Sequence, residues 1–249
     1  MLSSYLAGFS AQIFPALAIL LAAFLQAITG FGLVIVAAPL LMLFYDPKLT
    51  VPVMLLLACC GNFVQGAFAL RQANLPLIGM LYLGVLLGQP IGFFAFSWAD
   101  SGTLRLFIDS LILLSLVSMQ VTHREIAERP RNSFRTGILS GFTSITAGMA
   151  GPPFVIYLAH TKMPIAVFRA TCFVFFFLCN LTSLTSYTLG GFSLAPALDA
   201  FIYLLPALAV GLALGHSVSR FVPGQVVHRI IFFLLYAACI YSIGRELIQ

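Results

Sequence analysis

Two glycine-rich stretches in this chain have the residue types to hold a negatively charged solute without using a formal charge. The first is Thr29-Gly30-Phe31-Gly32. The second runs from Ser144 and Thr146 through Gly148 and Gly151 to Pro152-Pro153. Both lie inside long apolar runs. Adjacent prolines remove two amide donors and clash with a preceding helical turn, so a continuous helix through the second stretch is not expected. A helix that begins in mid-membrane leaves up to four amide N–H groups unpaired and carries about half a positive charge at that end. Such an end is a ready anion site, and the hydroxyls of Thr29, Ser144 and Thr146 could add donors. The competing reading is that Gly30, Gly32, Gly148 and Gly151 only let helices approach closely.

Arg169 lies about six residues into an apolar segment, where a cation is costly unless it snorkels or finds a partner. A guanidinium suits oxyanions because its planar fork donates two parallel hydrogen bonds. Asn62 and Asn180 stand in matching segments, and a buried amide there either binds solute or ties two helices together. His160 ends the second interrupted segment and is the one candidate for a proton relay near neutral pH, against the plainer role of an interfacial anchor. Asp46, Asp100, Asp109, Asp199 and Glu246 read as lying near segment ends, so no carboxylate looks deep enough for a relay. The five cysteines, Cys59, Cys60, Cys172, Cys179 and Cys239, show neither CxxC nor Cys/His metal spacing. No metal or cofactor is expected.

These groups must be carried by membrane-spanning helices. The 249 residues are 61% hydrophobic and only 8% charged, with a mean hydropathy of +1.07. A soluble domain carries about 25% charged residues, so too few polar groups are present to coat a globule in water. The apolar runs are continuous and about 20 residues or longer, which favours helices over the alternating strands of a barrel. The start, Met1-Leu2-Ser3-Ser4-Tyr5, lacks the basic region of a cleavable signal peptide, so the first apolar stretch is expected to be retained. The net charge of +5 fits cytoplasmic loops rich in Lys and Arg better than nucleic-acid binding.

Eight apolar segments can be marked: 11–45, 49–70, 75–99, 106–121, 136–161, 163–189, 194–218 and 230–244. The connector 123–135 carries four arginines and divides the chain into halves, 1–122 and 136–249. The halves resemble each other. Ala27-Ile28-Thr29-Gly30 matches Ser144-Ile145-Thr146-Ala147 at an offset of 117, Asn62 matches Asn180 at 118, and Gly88 and Gly92 match Gly211 and Gly215 at 123. Gly84, Gly88 and Gly92 also recur every four residues, which predicts a close helix contact. The expected fold is therefore an all-α polytopic membrane protein of two homologous repeats, each a broken or re-entrant first segment plus three transmembrane helices. A further interruption is expected near Pro39. If each broken segment returns to its starting side, nine of the twelve Lys/Arg fall on the side of the central loop and three opposite, against six and six for four full crossings. That favours inverted repeats with the basic loop cytoplasmic.

Thr146-Ala147-Gly148-Met149-Ala150-Gly151-Pro152-Pro153, followed by Tyr157-Leu158, Pro164, Phe168-Arg169-Ala170-Thr171 and Asn180, resembles the second-half signature of the sulfite exporter TauE/SafE family. Thr29-Gly30-Phe31-Gly32 with Pro39 and Pro47 is similar to a degenerate first-half copy. The resemblance implies a bacterial inner-membrane permease for sulfite, sulfoacetate, thiosulfate or another small organic anion. One departure is that Pro52 takes the place in the first half that Arg169 holds in the second. The expected partners are a small anion and the lipid bilayer, with a homo-oligomer open. An enzyme is disfavoured because HExxH, GxSxG and paired intramembrane aspartates are missing from the sequence. An anion channel or a non-transporting assembly subunit is the alternative to a carrier.

Overall fold

The computed structural model describes residues 2–30, 32–121, 129–159 and 163–218. The eighth apolar segment, His160 and residues 123–128 of the central loop lie outside them. The described residues fold as helices and connectors: α1 (Leu2–Thr29), α2 (Leu33–Leu41), α3 (Pro47–Ala69), α4 (Leu75–Trp98), α5 (Ser101–Val121), α6 (Pro130–Ala147), α7 (Gly151–Ala159), α8 (Ile165–Leu189) and α9 (Ala195–Val218). Five of them contain stretches long and apolar enough to cross a membrane: Gln12–Thr29, Pro47–Gln72, Leu75–Trp98, Ile165–Leu189 and Ala195–Val218. Each apolar segment inferred for 11–45 and 136–161 is two helices, a long one and a nine-residue one. At about 1.5 Å per residue, α2 and α7 cover less than half of a ~30 Å hydrocarbon core.

Helix starts follow local chemistry. Asp46 caps α3 by accepting from the Lys48 amide at 2.8 Å, with Pro47 in the first position, and Asn74 caps α4 through the Leu77 amide at 3.2 Å. Asp100 accepts from both the hydroxyl and the amide of Thr103, which together hold its carboxyl below the usual carboxylate range. That cap starts α5 at Ser101, five residues before the apolar run, because Arg105 is inside the helix rather than ahead of it. Two other boundaries also differ from expectation. α2 continues through Pro39 to Leu41, the proline giving up the one amide bond it would have made to the Ile35 carbonyl without ending the helix. α6 begins at Pro130, so Arg131 and Arg135 are helical and not in the connector.

The glycine spacing decides which helices meet. α4 packs most closely on α6, α1 on α9 and α3 on α8. Along the α4–α6 seam, a Cβ added at Gly84 or Gly88 would overlap the carbonyls of Phe134 and Ile138, and one at Gly92 would sit 2.5 Å from the Ile145 side chain. Gly137 and Gly141 of α6 are equally close to α4, while Gly211 and Gly215 of α9 press on the carbonyls of Leu20 and Phe24 in α1. Leu83, Leu87, Ile91 and Phe94 of α4 are exposed, an outer surface suited to lipid. Gly88→Leu is therefore expected to lower stability by about 1–3 kcal/mol or more through overpacking. Gly79→Ala, where the new methyl meets nothing within 4 Å, should change little. Thermal unfolding in detergent checks the contrast.

Candidate functional site

Both interruptions are glycine turns between two helices, and left-handed backbone is what they require. Gly30 (φ +88°) ends α1 with its amide on the Gln26 carbonyl at 2.8 Å, and Gly148 (φ +69°) ends α6, its amide and that of Met149 turning back to the Thr143 carbonyl. Only glycine adopts this conformation without strain. A helix then restarts in each case, and the two restarted ends face one another. A Cβ at Gly151, at the start of α7, would lie 3.9 Å from Ile35 in the first turn of α2.

Between these ends is a cavity of about 30 Å3, lined by Gly32 to Ile35 at the start of α2 and by Gly148 to Gly151 at the start of α7. Gln26, Ala58, Asn62, Phe176 and Asn180 complete it. The volume is room for one or two water-sized groups. No charged residue is among the lining groups. The two helix ends are not equivalent donors. α2 has glycine as its N-cap and no capping side chain, so the amides of Leu33, Val34 and Ile35 have no intrahelical acceptor. α7 carries Pro152 and Pro153 in its first turn, where proline is tolerated because its missing N–H would be an orphan anyway. The prolines thus fit the helix they start but leave α7 with fewer amides than the four a helix end can offer.

Side-chain amides supply the remaining polarity. Gln26 donates from Nε2 to Asn62 Oδ1 at 2.8 Å, both buried, while Gln26 Oε1 has no partner. Asn180, 2% exposed, has its Nδ2 buried without an acceptor. A buried amide donor left unpaired costs about 1–3 kcal/mol, and here it stands on the cavity wall.

The cavity brings together Gly32, Asn62, Gly148, Gly151 and Asn180 of the residues singled out from sequence. It does not include the others. Thr29 and Thr146 turn their hydroxyls to carbonyls one helical turn back, Leu25 at 2.9 Å and Phe142 at 2.7 Å. Ser144 bonds to Ser183 at 2.9 Å. Gly30 lies under Arg169, a Cβ there being 2.6 Å from Arg169 Cγ. Arg169 itself donates from Nη2 to the Ala27 carbonyl at 2.6 Å and reaches over the Phe173 ring. It thereby caps the carbonyl end of α1, where a cation is favoured, whereas the amide end of α2 turns to the cavity. The opposite polarity of the two ends separates the arginine from the amides. The residue that meets Gly148 as Arg169 meets Gly30 is Val51, not Pro52. His160 is outside the described residues.

Arg169 lines a second, larger cavity of about 960 Å3 between α3, α8 and α9, with Gln65, Phe68, Phe173, Leu212 and His216 on its walls. Gln26 and Asn62 line the small cavity, and the next residue of α1 and the preceding one of α3, Ala27 and Gly61, line this one. Sequence reasoning passed over Gln26, although it is the one amide side chain shortly before the first interruption. It also misplaced Asp109. This is the ninth residue of α5 and 0% exposed, not a residue near a segment end, because α5 starts earlier than its apolar run. α5 packs against α2, α3, α6 and α7. Among the described residues no cluster of three or more His, Cys, Asp or Glu could hold a metal ion.

Residues 15–242 match the family model described as sulfite exporter TauE/SafE. No curated protein and no solved structure matches the chain.

Proposed function

The chain belongs to the sulfite exporter TauE/SafE family, a family of membrane transporters, and from that premise we propose that it is a secondary carrier exporting a small anion such as sulfite, thiosulfate or an organosulfonate. The observation that carries this reading is the small cavity between the starts of α2 and α7. Its donors are the orphan amides of α2 and Asn180 Nδ2, and no full cation lines it. Partial positive charge attracts an anion without the tight ion pair that would slow its release. At about 30 Å3 the cavity has room for one or two water-sized groups, so even a four-atom oxyanion needs the two helix ends to part. Motion of that kind belongs to a carrier more than to a standing pore.

The carrier works by alternating access between two inverted repeats, 1–122 and 136–249, about the 123–135 segment. Three observations support the pairing. Each repeat packs its fourth-numbered or corresponding long helix on the other's first, α4 on α6 and α9 on α1. The turn glycines Gly30 and Gly148 are 118 residues apart, as are Asn62 and Asn180 on the cavity wall. Their neighbours cross over, Gly30 meeting Arg169 and Gly148 meeting Val51, again 118 apart. A place in the bacterial inner membrane with the arginine-rich segment cytoplasmic completes the reading.

Purified protein in liposomes tests it. Saturable flux of sulfite, thiosulfate or sulfoacetate, accelerated by the same anion on the far side, is expected. Thermal stabilisation by the transported anion should reach about 2.7 kcal/mol at a hundred times its Kd. Flux that rises linearly without counterflow would make the protein a channel, and stabilisation by cations alone would end the anion assignment.

A further inference from the structure

The large cavity beside Arg169 has a counterpart that is shut. The spacing of 118 that relates Asn62 to Asn180 carries Gln65 to Ser183 and Ala69 to Tyr187. The spacing of 123 that relates Gly88 and Gly92 to Gly211 and Gly215 carries Gln89 to Leu212 and Phe93 to His216. Gln65, Ala69, Leu212 and His216 all line the open cavity. Their counterparts are packed against one another. Gln89 donates from Nε2 to the Cys179 carbonyl at 3.0 Å and to Ser183 Oγ at 2.9 Å, and Ser183 Oγ meets Ser144 Oγ at 2.9 Å. Tyr187 donates to the Ile145 carbonyl at 2.6 Å, with Phe93 and Phe96 set edge-on to its ring. Gln89, Ser144, Ser183 and Tyr187 are all buried.

We infer that Gln89, Ser183 and Ser144 form the closed gate of a second access route to the anion cavity, related to the open route beside Arg169 by the symmetry of the repeats. This rests on the alternating-access reading given above. A buried glutamine amide in an apolar seam keeps its protein partners unless water replaces them, so opening this seam and wetting it are one event. On the open side Leu212 holds the glutamine's place and makes no such bonds. The difference between Gln89 and Leu212 is thus what sets which face is open.

The chain carries its own reporters. Cys60 lines the open cavity, and Cys179 is fully buried at the gate. Maleimide alkylation of the full-length protein in liposomes, mapped by peptide mass, should modify Cys60 and spare Cys179. In Gln89→Leu, which removes two hydrogen bonds, Cys179 is expected to become at least about tenfold more reactive while Cys60 slows. Leu212→Gln places an amide within the open face opposite Gln65, and Cys60 should slow there with Cys179 still protected. Cys179 as unreactive in Gln89→Leu as in the native chain would overturn the gate. So would Cys60, Cys172 and Cys179 all rising together, since Cys172, equally buried and about two helical turns before Cys179 on α8, then reports a loosened fold. The assay uses no transported solute, so a failure to carry anions counts against the carrier and not against these alkylation results.

Discussion

Replacing Asn180 with leucine is expected to cut anion flux by about 10- to 100-fold while leaving the folded protein as stable as before, or more so. The expectation comes from the state of its side-chain nitrogen. Asn180 Nδ2 is buried on the cavity wall with no acceptor, and a hydrogen bond from such a donor to a charged solute is worth about 1.5–3 kcal/mol, with tenfold in binding for each ~1.4 kcal/mol. Removing an unpaired buried donor removes its desolvation cost, so stability should not fall on that account. Asn62→Leu is the contrasting case. It leaves Gln26 Nε2 buried without the partner it now has at 2.8 Å, at a cost of about 1–3 kcal/mol. Counterflow in liposomes and thermal unfolding in detergent, measured on both variants, separate the two roles. If Asn180→Leu transports normally and unfolds as early as Asn62→Leu, Asn180 serves packing alone.

The second large effect is at Arg169, for a reason tied to the end of α1. Its guanidinium donates to the Ala27 carbonyl at 2.6 Å and lies along Gly30. A charge-assisted bond of this kind contributes about 1.5–3 kcal/mol, and a cation at a helix C-terminus adds roughly 0.3–1. Arg169→Gln should reduce flux at least about tenfold and lower thermal stability together, because the turn that sets α2 against the cavity loses its cap. Arg169→Lys restores the charge but not the planar fork, and should fall between. Gly30→Ala ought to reproduce the defect from the other side. Its methyl would stand 2.6 Å from Arg169 Cγ at a φ of +88°, conditions that cost roughly 1–2 kcal/mol for the left-handed backbone before any clash is relieved. Native flux from Arg169→Gln at normal expression would remove the arginine from the transport cycle.

Some of this was legible before any coordinates. The two interruptions were located to within a residue or two because glycine and paired proline act through the local backbone, and local backbone is what sequence describes best. The close approach of α4 was legible in Gly84, Gly88 and Gly92 because a four-residue spacing keeps three positions on one helical face. Asn62 and Asn180 could be set side by side because they stand 118 positions apart, within one residue of the offset of 117 between the two glycine-rich stretches. Asp109 was misjudged because hydropathy marks where an apolar run starts, whereas the cap at Asp100 marks where the helix starts.

What the sequence determined by itself is the kind of molecule: apolar helices, two of them broken at glycine turns, with amides on either side of the breaks. Hydropathy and backbone preference are properties of short stretches, so no partner segment is needed to read them. Tertiary structure alone decided which end of each break does what. The polarity of a helix assigns Arg169 to the carbonyl end of α1 and leaves the amide end of α2 for the cavity, and only the tertiary fold, in which α8 packs on α3, brings Arg169 to Ala27 across 142 residues of sequence. The same holds for Asn180, whose unpaired nitrogen is a fact about what surrounds it and not about asparagine.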